Sequence, residues 1–138
     1  MEKKGVYCLA ITVEETVDII VGALGRLDFP SGSYIYVGSA LNGLEARLRR
    51  HIKTSHGRGE ATHWHIDYLL REPKVEIEAL YIKLTDLREE CELADSVSEW
   101  GEPKKGFGCS DCRCISHLFR VDGFDFLPEL GLKSIHLD

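Results

Sequence analysis

The sequence has no apolar run approaching the roughly 20 residues that span a bilayer, which excludes a transmembrane helix. Its opening, MEKKGVYCLAITVEET, is broken by acids before it could serve as a signal peptide, so a cytoplasmic location is expected. There is no internal repeat, low-complexity tract or proline-rich linker, and residues 1–138 read as one continuous domain. Positive charge is also short: 17 Lys and Arg stand against 23 Asp and Glu, a formal net charge of -6. Such a balance counts against strong nonspecific binding to polyanions, because affinity for phosphates comes mainly from Lys and Arg. The five cysteines are an odd set without an export signal, which favours reduced thiols or metal ligands over a disulfide framework.

What charge there is lies segregated. Arg47, Arg49, Arg50, Lys53 and Arg58, with His51 and His56, occur without an intervening acid, whereas Glu76 to Glu102 is dominated by acids. A local basic surface attracts a polyanion even on an acidic molecule, because salt limits the reach of distant charges to about 10 Å. The alternative is that both runs are solvated faces.

GVYCLAITV (5–13), VDIIVG (17–22) and SYIYVG (33–38) are rich in β-branched and aromatic residues and predict strands, with GRLDFPSGS as the turn between the last two. Asn42 is the expected cap of a helix whose buried stripe is Leu44, Leu48 and Ile52, with Arg47 and His51 stacked four residues apart beside it. ATHWHIDYLLRE predicts a second helix ended by Pro73, KVEIEALYIKL a strand, and TDLREECELADSVSEW a helix capped by Thr85 or Asp86. CRCISHLFRV (112–121) predicts the last strand. This order implies an α+β fold with a small, largely antiparallel sheet flanked by helices.

Tyr7 closes the triplet GVY on the first strand and Tyr36 opens YVG on the third; Arg47 and His51 follow on one helix, and Glu90 lies on a later one. This set, in this order over residues 4 to 97, resembles the GIY-YIG nuclease superfamily. GSYIYVGSA, HWHIDYLL and GFGCSDCRCISHLF resemble, more narrowly, a small archaeal and bacterial branch of it. The resemblance implies a metal-dependent DNA endonuclease, structure-selective and acting in repair or recombination, in which Mg²⁺ or Mn²⁺ is held by Glu90. Glu89 and Glu92 are the alternative registers for that carboxylate. Arg47 would clamp the scissile phosphate with its planar fork of donors. Tyr7 and Tyr36 would flank the attacking water, Tyr7 as the general base, and His51 would orient a tyrosine or share the proton. Arg49, Arg50, Lys53, Arg58, His63 and His65 are the candidate DNA contacts. Each residue also has a structural reading: strand tyrosines pack cores, lone arginines sit on surfaces, and a glutamate near a helix start complements the dipole.

HWHIDYLL places His63, His65 and Asp67 on one face if it is a strand; in the expected helix only His63 and Asp67 align. Cys109, Cys112, Cys114 and His117 have the chemistry of a tetrahedral zinc site, with buried thiols or a redox pair as the competing readings. The second functional class is a non-catalytic nucleic-acid or protein binding module, zinc-stabilised. The expected partner is DNA, without a membrane, and a homodimer or a repair protein would supply specificity that one small domain lacks.

Overall fold

The computed structural model describes residues 3–57, 64–109 and 114–137. Its centre is a six-stranded sheet in the order β6-β7-β4-β1-β5-β8. The strands are β1 (Gly5–Val13), β4 (Gly32–Ala40), β5 (Val75–Leu84), β6 (Gly101–Pro103), β7 (Leu118–Val121) and β8 (Lys133–Ile135), and every pairing among them is antiparallel. The helices are α1 (Leu44–Ser55), α2 (His65–Leu70) and α3 (Glu90–Ser98). The α+β class with a largely antiparallel sheet is therefore the one expected.

Strand alternation assigns the two sides of the sheet. Tyr7, Leu9, Ile11 and Val13 of β1, with Tyr34 and Tyr36 of β4, pack against Leu44 and Leu48 of α1 and Ile66, Leu69 and Leu70 of α2. Val6 and Cys8, with Ile35 and Val37, point the other way onto Leu93, Ala94 and Val97 of α3. Because β1 is central and covered on both faces, it reads as a continuous apolar run.

Several local expectations are corrected. GRLDFPSGS is not wholly a turn: β3 (Arg26–Phe29) pairs with β2 (Val17–Ile20) as a separate hairpin. The strand from 33 to 38 continues to Ala40, so Gly38 lies inside β4 and not at its end. Helix α1 is entered through Gly43, at φ 68°, with no side-chain cap from Asn42; a glycine tolerates this left-handed entry at little cost. Helix α3 starts at Glu90, five residues after Thr85, and of the described part of the last predicted strand, 114–121, only Leu118–Val121 is strand. Thr85 instead accepts a hydrogen bond from the Leu87 backbone and donates one to Glu89. The edge strands β6 and β8 are too short to leave a periodic signal. No helix among the described residues is long and apolar enough to cross a membrane.

Candidate active site

The sequence places Tyr7 and Gly38 far apart, and the β1–β4 register pairs them directly. The Tyr7 ring lies over Gly38: a Cβ there would stand 2.5 Å from both Cζ and Oη of the tyrosine. Gly38 is thus required by close approach rather than by a positive φ at a strand end. The space it leaves lets Tyr7 reach α1, where Oη lies 2.7 Å from His51 Nε2. Tyr36 is next to this pair, its ring centroid 6.5 Å from that of Tyr7 and 6.1 Å from that of His51.

Arg47 is one helical turn before His51. Its Nη1 donates to the Ser39 carbonyl at 3.0 Å, and its guanidinium lies 4.5 Å from the centre of the Trp64 ring. Arg50 lies 4.2 Å from that ring centre and donates from both terminal nitrogens to the fully buried Asp67, at 2.9 and 3.0 Å. Asp67 also accepts from the Trp64 backbone N–H at 3.0 Å, tying the first turn of α2 to α1. Two guanidiniums therefore lie within cation–π range of the Trp64 ring, which helps hold both in place.

Tyr7, Tyr36, Arg47 and Glu90 line one cleft of about 470 Å³, together with Ser39, Trp64, His65, Arg88, Gly108 and His117. Glu90 belongs to the first turn of α3, and its side chain is 29% exposed. Of the three candidate glutamates it is the one on the cleft wall: Glu89 is held by Lys83 and Thr85, and Glu92 lines a separate hollow beside Val6 and Lys83. Hydrogen bonds from Thr85 and Lys83 also pull the Glu89 carboxyl below its usual range. A larger groove, about 630 Å³, runs along β5 and β8, but its wall contains none of these residues.

Burial dominates the electrostatics. It pushes the Tyr7 phenol well up; Arg47 opposes this by its charge and by a hydrogen bond, while Glu90 and Asp67 add to the rise. Tyr36 is raised for the same leading reason, with Tyr7 and Glu90 adding to it and Arg47 opposing. Burial pushes His51 down to about 4; Asp67 favours the charged ring, but Arg47 and Arg50 oppose it. His51 is neutral, then, and its Nδ1 has no hydrogen-bond partner among the described residues. Placing the proton on Nε2 leaves only a lone pair unpaired, where the other tautomer would strand a buried N–H donor. In that tautomer His51 donates to Tyr7 Oη and favours its phenolate.

These geometric facts divide the predicted residues. Tyr7, Tyr36, Arg47 and Glu90 come together on the cleft, His51 stands behind Tyr7, and His65 joins the wall. Burial lowers the pKa of His65, and its Nδ1 accepts from the Gly108 N–H at 2.8 Å, which fixes the ring. Arg50, a candidate DNA contact, pairs with the buried Asp67. Arg49 pairs with Glu45 on the surface at 3.4 Å, and Lys53 is exposed on the last turn of α1. Arg58, His63 and Cys112 lie outside the described residues. Sequence reasoning missed Arg88 on the cleft wall and the two guanidiniums at the Trp64 ring.

The predicted sulfur site also changes. Cys91, Cys114 and His117 form a group with ligand atoms within 4.8 Å of one another, and this group could hold a metal ion. Cys109 is not in it; its thiol donates to the Phe107 carbonyl at 3.6 Å. Cys91 was not expected, because it comes from α3 and reaches the loop only through the tertiary fold. No sequence spacing links it to Cys114.

The family model described as a domain of unknown function, DUF123, matches residues 6–133 and so spans every described residue of the cleft. The chain belongs to the DUF123 family. No curated protein and no solved structure matches it. In this DUF123 domain the cleft is assembled from β1, β4, α1, the starts of α2 and α3 and the segments preceding α2, α3 and β7.

Proposed function

We propose that this DUF123 chain is a metal-dependent DNA endonuclease of the GIY-YIG type, structure-selective and acting in repair or recombination. The observation that carries this reading is the convergence of two strand tyrosines, an arginine and a glutamate on one polar cleft. Phosphodiester hydrolysis needs an activated water, a clamp on the phosphoryl oxygens and stabilisation of the leaving oxygen.

Among the described residues one carboxylate, Glu90, lines the cleft, which suits Mg²⁺ or Mn²⁺, ions that bind through few protein oxygens and retain waters; Glu90 would hold the ion. Bound there, the ion would supply Lewis-acid neutralisation of the phosphate and lower the pKa of water. Arg47 presents a guanidinium already oriented by Ser39 and Trp64, so its remaining donors can meet phosphate oxygens with little loss of side-chain freedom. Tyr7 would accept the water's proton as a phenolate, after its own phenolic proton has passed to solvent in the cleft, a loss that the charge of the bound ion would favour. Arg47 and the N–H of His51 favour that form, against the burial that opposes it. Tyr36 orients the water from the neighbouring strand. The thiols and imidazole of Cys91, Cys114 and His117 suit Zn²⁺ better than Mg²⁺, because soft sulfur ligands select it.

The test uses labelled single-stranded, duplex, flap and branched DNAs with Mg²⁺, Mn²⁺ or EDTA. Cleavage should require the ion, and Glu90→Ala and Arg47→Ala should each lower the rate by roughly 100-fold or more. Rates equal to wild type in both variants would overturn the assignment. Binding that weakens in Arg47→Ala without any cleavage would instead identify a binding module.

A further inference from the structure

The group Cys91, Cys114 and His117 does not stand apart from the cleft. His117 and Glu90 both line it, and His117 Nδ1 lies 3.7 Å from Glu90 Oε2. The opposite ring nitrogen, Nε2, lies 4.0 Å from Cys91 Sγ. One imidazole therefore faces a carboxylate with one nitrogen and a thiol with the other. Cys91 follows Glu90 directly in the first turn of α3, so the two ends of this chain of contacts share a backbone.

We propose that Cys91, Cys114 and His117 bind a zinc ion and that this ion positions Glu90. Bond lengths of about 2.3 Å for Zn–S and 2.0–2.1 Å for Zn–N put tetrahedral ligand atoms roughly 3.6–3.8 Å apart, so a group within 4.8 Å needs only a small contraction. His117 is well placed to be a rigid ligand: it is 3% exposed, its N–H donates to the Phe107 carbonyl, and its carbonyl accepts from Val37, both at 2.8 Å. Zinc on Nε2 leaves the proton on Nδ1, which then points at Glu90. At 3.7 Å this pair is not yet hydrogen-bonded, and a modest approach of Glu90 on zinc binding would complete the carboxylate–histidine–metal arrangement that orients ligands in many zinc sites. His117 is thus a positioning residue and Glu90 the group it holds. The three ligands among the described residues leave one position of a four-coordinate ion for a further donor or water.

The positioning role rests on Glu90 being the metal-binding carboxylate of the proposed nuclease, but its test does not depend on cleavage. Purified full-length protein is analysed for zinc, then reloaded with Co²⁺, and thiolate-to-cobalt charge-transfer absorption is followed, with circular dichroism to verify that each variant folds. Wild type should bind about one ion per chain with this absorption. Cys91→Ser and Cys114→Ser should each lose most of it, and Cys109→Ser should retain it. Glu90→Gln should keep the absorption but bind zinc roughly 10-fold more weakly, as loss of a ligand's outer hydrogen-bond partner does. Absence of thiolate absorption in wild type, or its loss in Cys109→Ser with retention in Cys91→Ser, would overturn the site. Unchanged zinc affinity in Glu90→Gln would overturn the positioning role. Zinc binding without cleavage of any DNA would leave the site standing and refute the nuclease reading, and metal-dependent cleavage by a protein that never binds zinc would do the reverse.

Discussion

The two faces of the sheet are built from alternate residues of the same strands, yet they differ in kind. On the α3 face Val6, Cys8, Ile35, Val37, Leu93, Val97 and Phe119 make an apolar layer, and burial pushes the Cys8 thiol up so that it stays protonated and inert. On the α1 and α2 face the core includes Tyr7, Tyr36, His51 and Asp67, polar side chains of which Tyr36, at 7%, is the most exposed. Burying such groups is costly unless each finds a partner. Among the described residues the buried side-chain atoms do, with His51 Nδ1 the exception. A stable domain could have been made with two faces of the first kind, so the polar one is where function constrains the fold.

The most severe way to break the contrast is to remove the anchor of the polar face. Asp67→Ala leaves Arg50 without its bidentate partner and Trp64 N–H without its acceptor, and should cost about 3 kcal/mol in denaturant unfolding. A loss below about 1 kcal/mol would show that solvent reaches Arg50 and compensates it.

Acid should separate the faces next. The His51 pKa falls from 6.5 to about 4 in the fold, so the unfolded chain takes up a proton that the folded protein refuses. Its contribution is fully present above pH 6.5, is lost as pH drops toward 4, and is flat below that, a total of roughly 3 kcal/mol. Urea unfolding between pH 4 and 7 should show this slope in wild type and a shallower one in His51→Gln; parallel curves would place the titration elsewhere.

A finer probe is Gly38→Ala, which drives a methyl into the Tyr7 ring. It should destabilise by about 1–3 kcal/mol as overpacking does, and separate Tyr7 from His51. A crystal structure of the variant with the hydrogen bond still at 2.7 Å would mean that the sheet, and not the ring, gives way.

Much of this architecture is legible in the chain. The apolar alternation of β1, β4 and β5 and the Leu44 and Leu48 stripe of α1 announce themselves, because burial of a strand or helix face imposes a period. The hairpin strand Arg26–Phe29 does not, since exposed residues alternate within only four positions. Arg50 reads as a surface cation in sequence because its partner, Asp67, is 17 residues away. Cys109 reads as a ligand because it neighbours other cysteines in the chain, whereas α3 brings Cys91 to Cys114 and His117.

The sequence by itself determined the fold class, the strand bearing each tyrosine and the helix bearing Arg47 and His51, because local periodicity and side-chain chemistry encode those directly. Only the tertiary structure decided that Gly38 makes room for Tyr7, that Arg50 is compensated, that Glu90 is the glutamate on the cleft and that Cys91 joins the sulfur group. These depend on strand register and helix placement, which are settled by packing across the whole sheet and leave no mark in the spacing of neighbours along the chain.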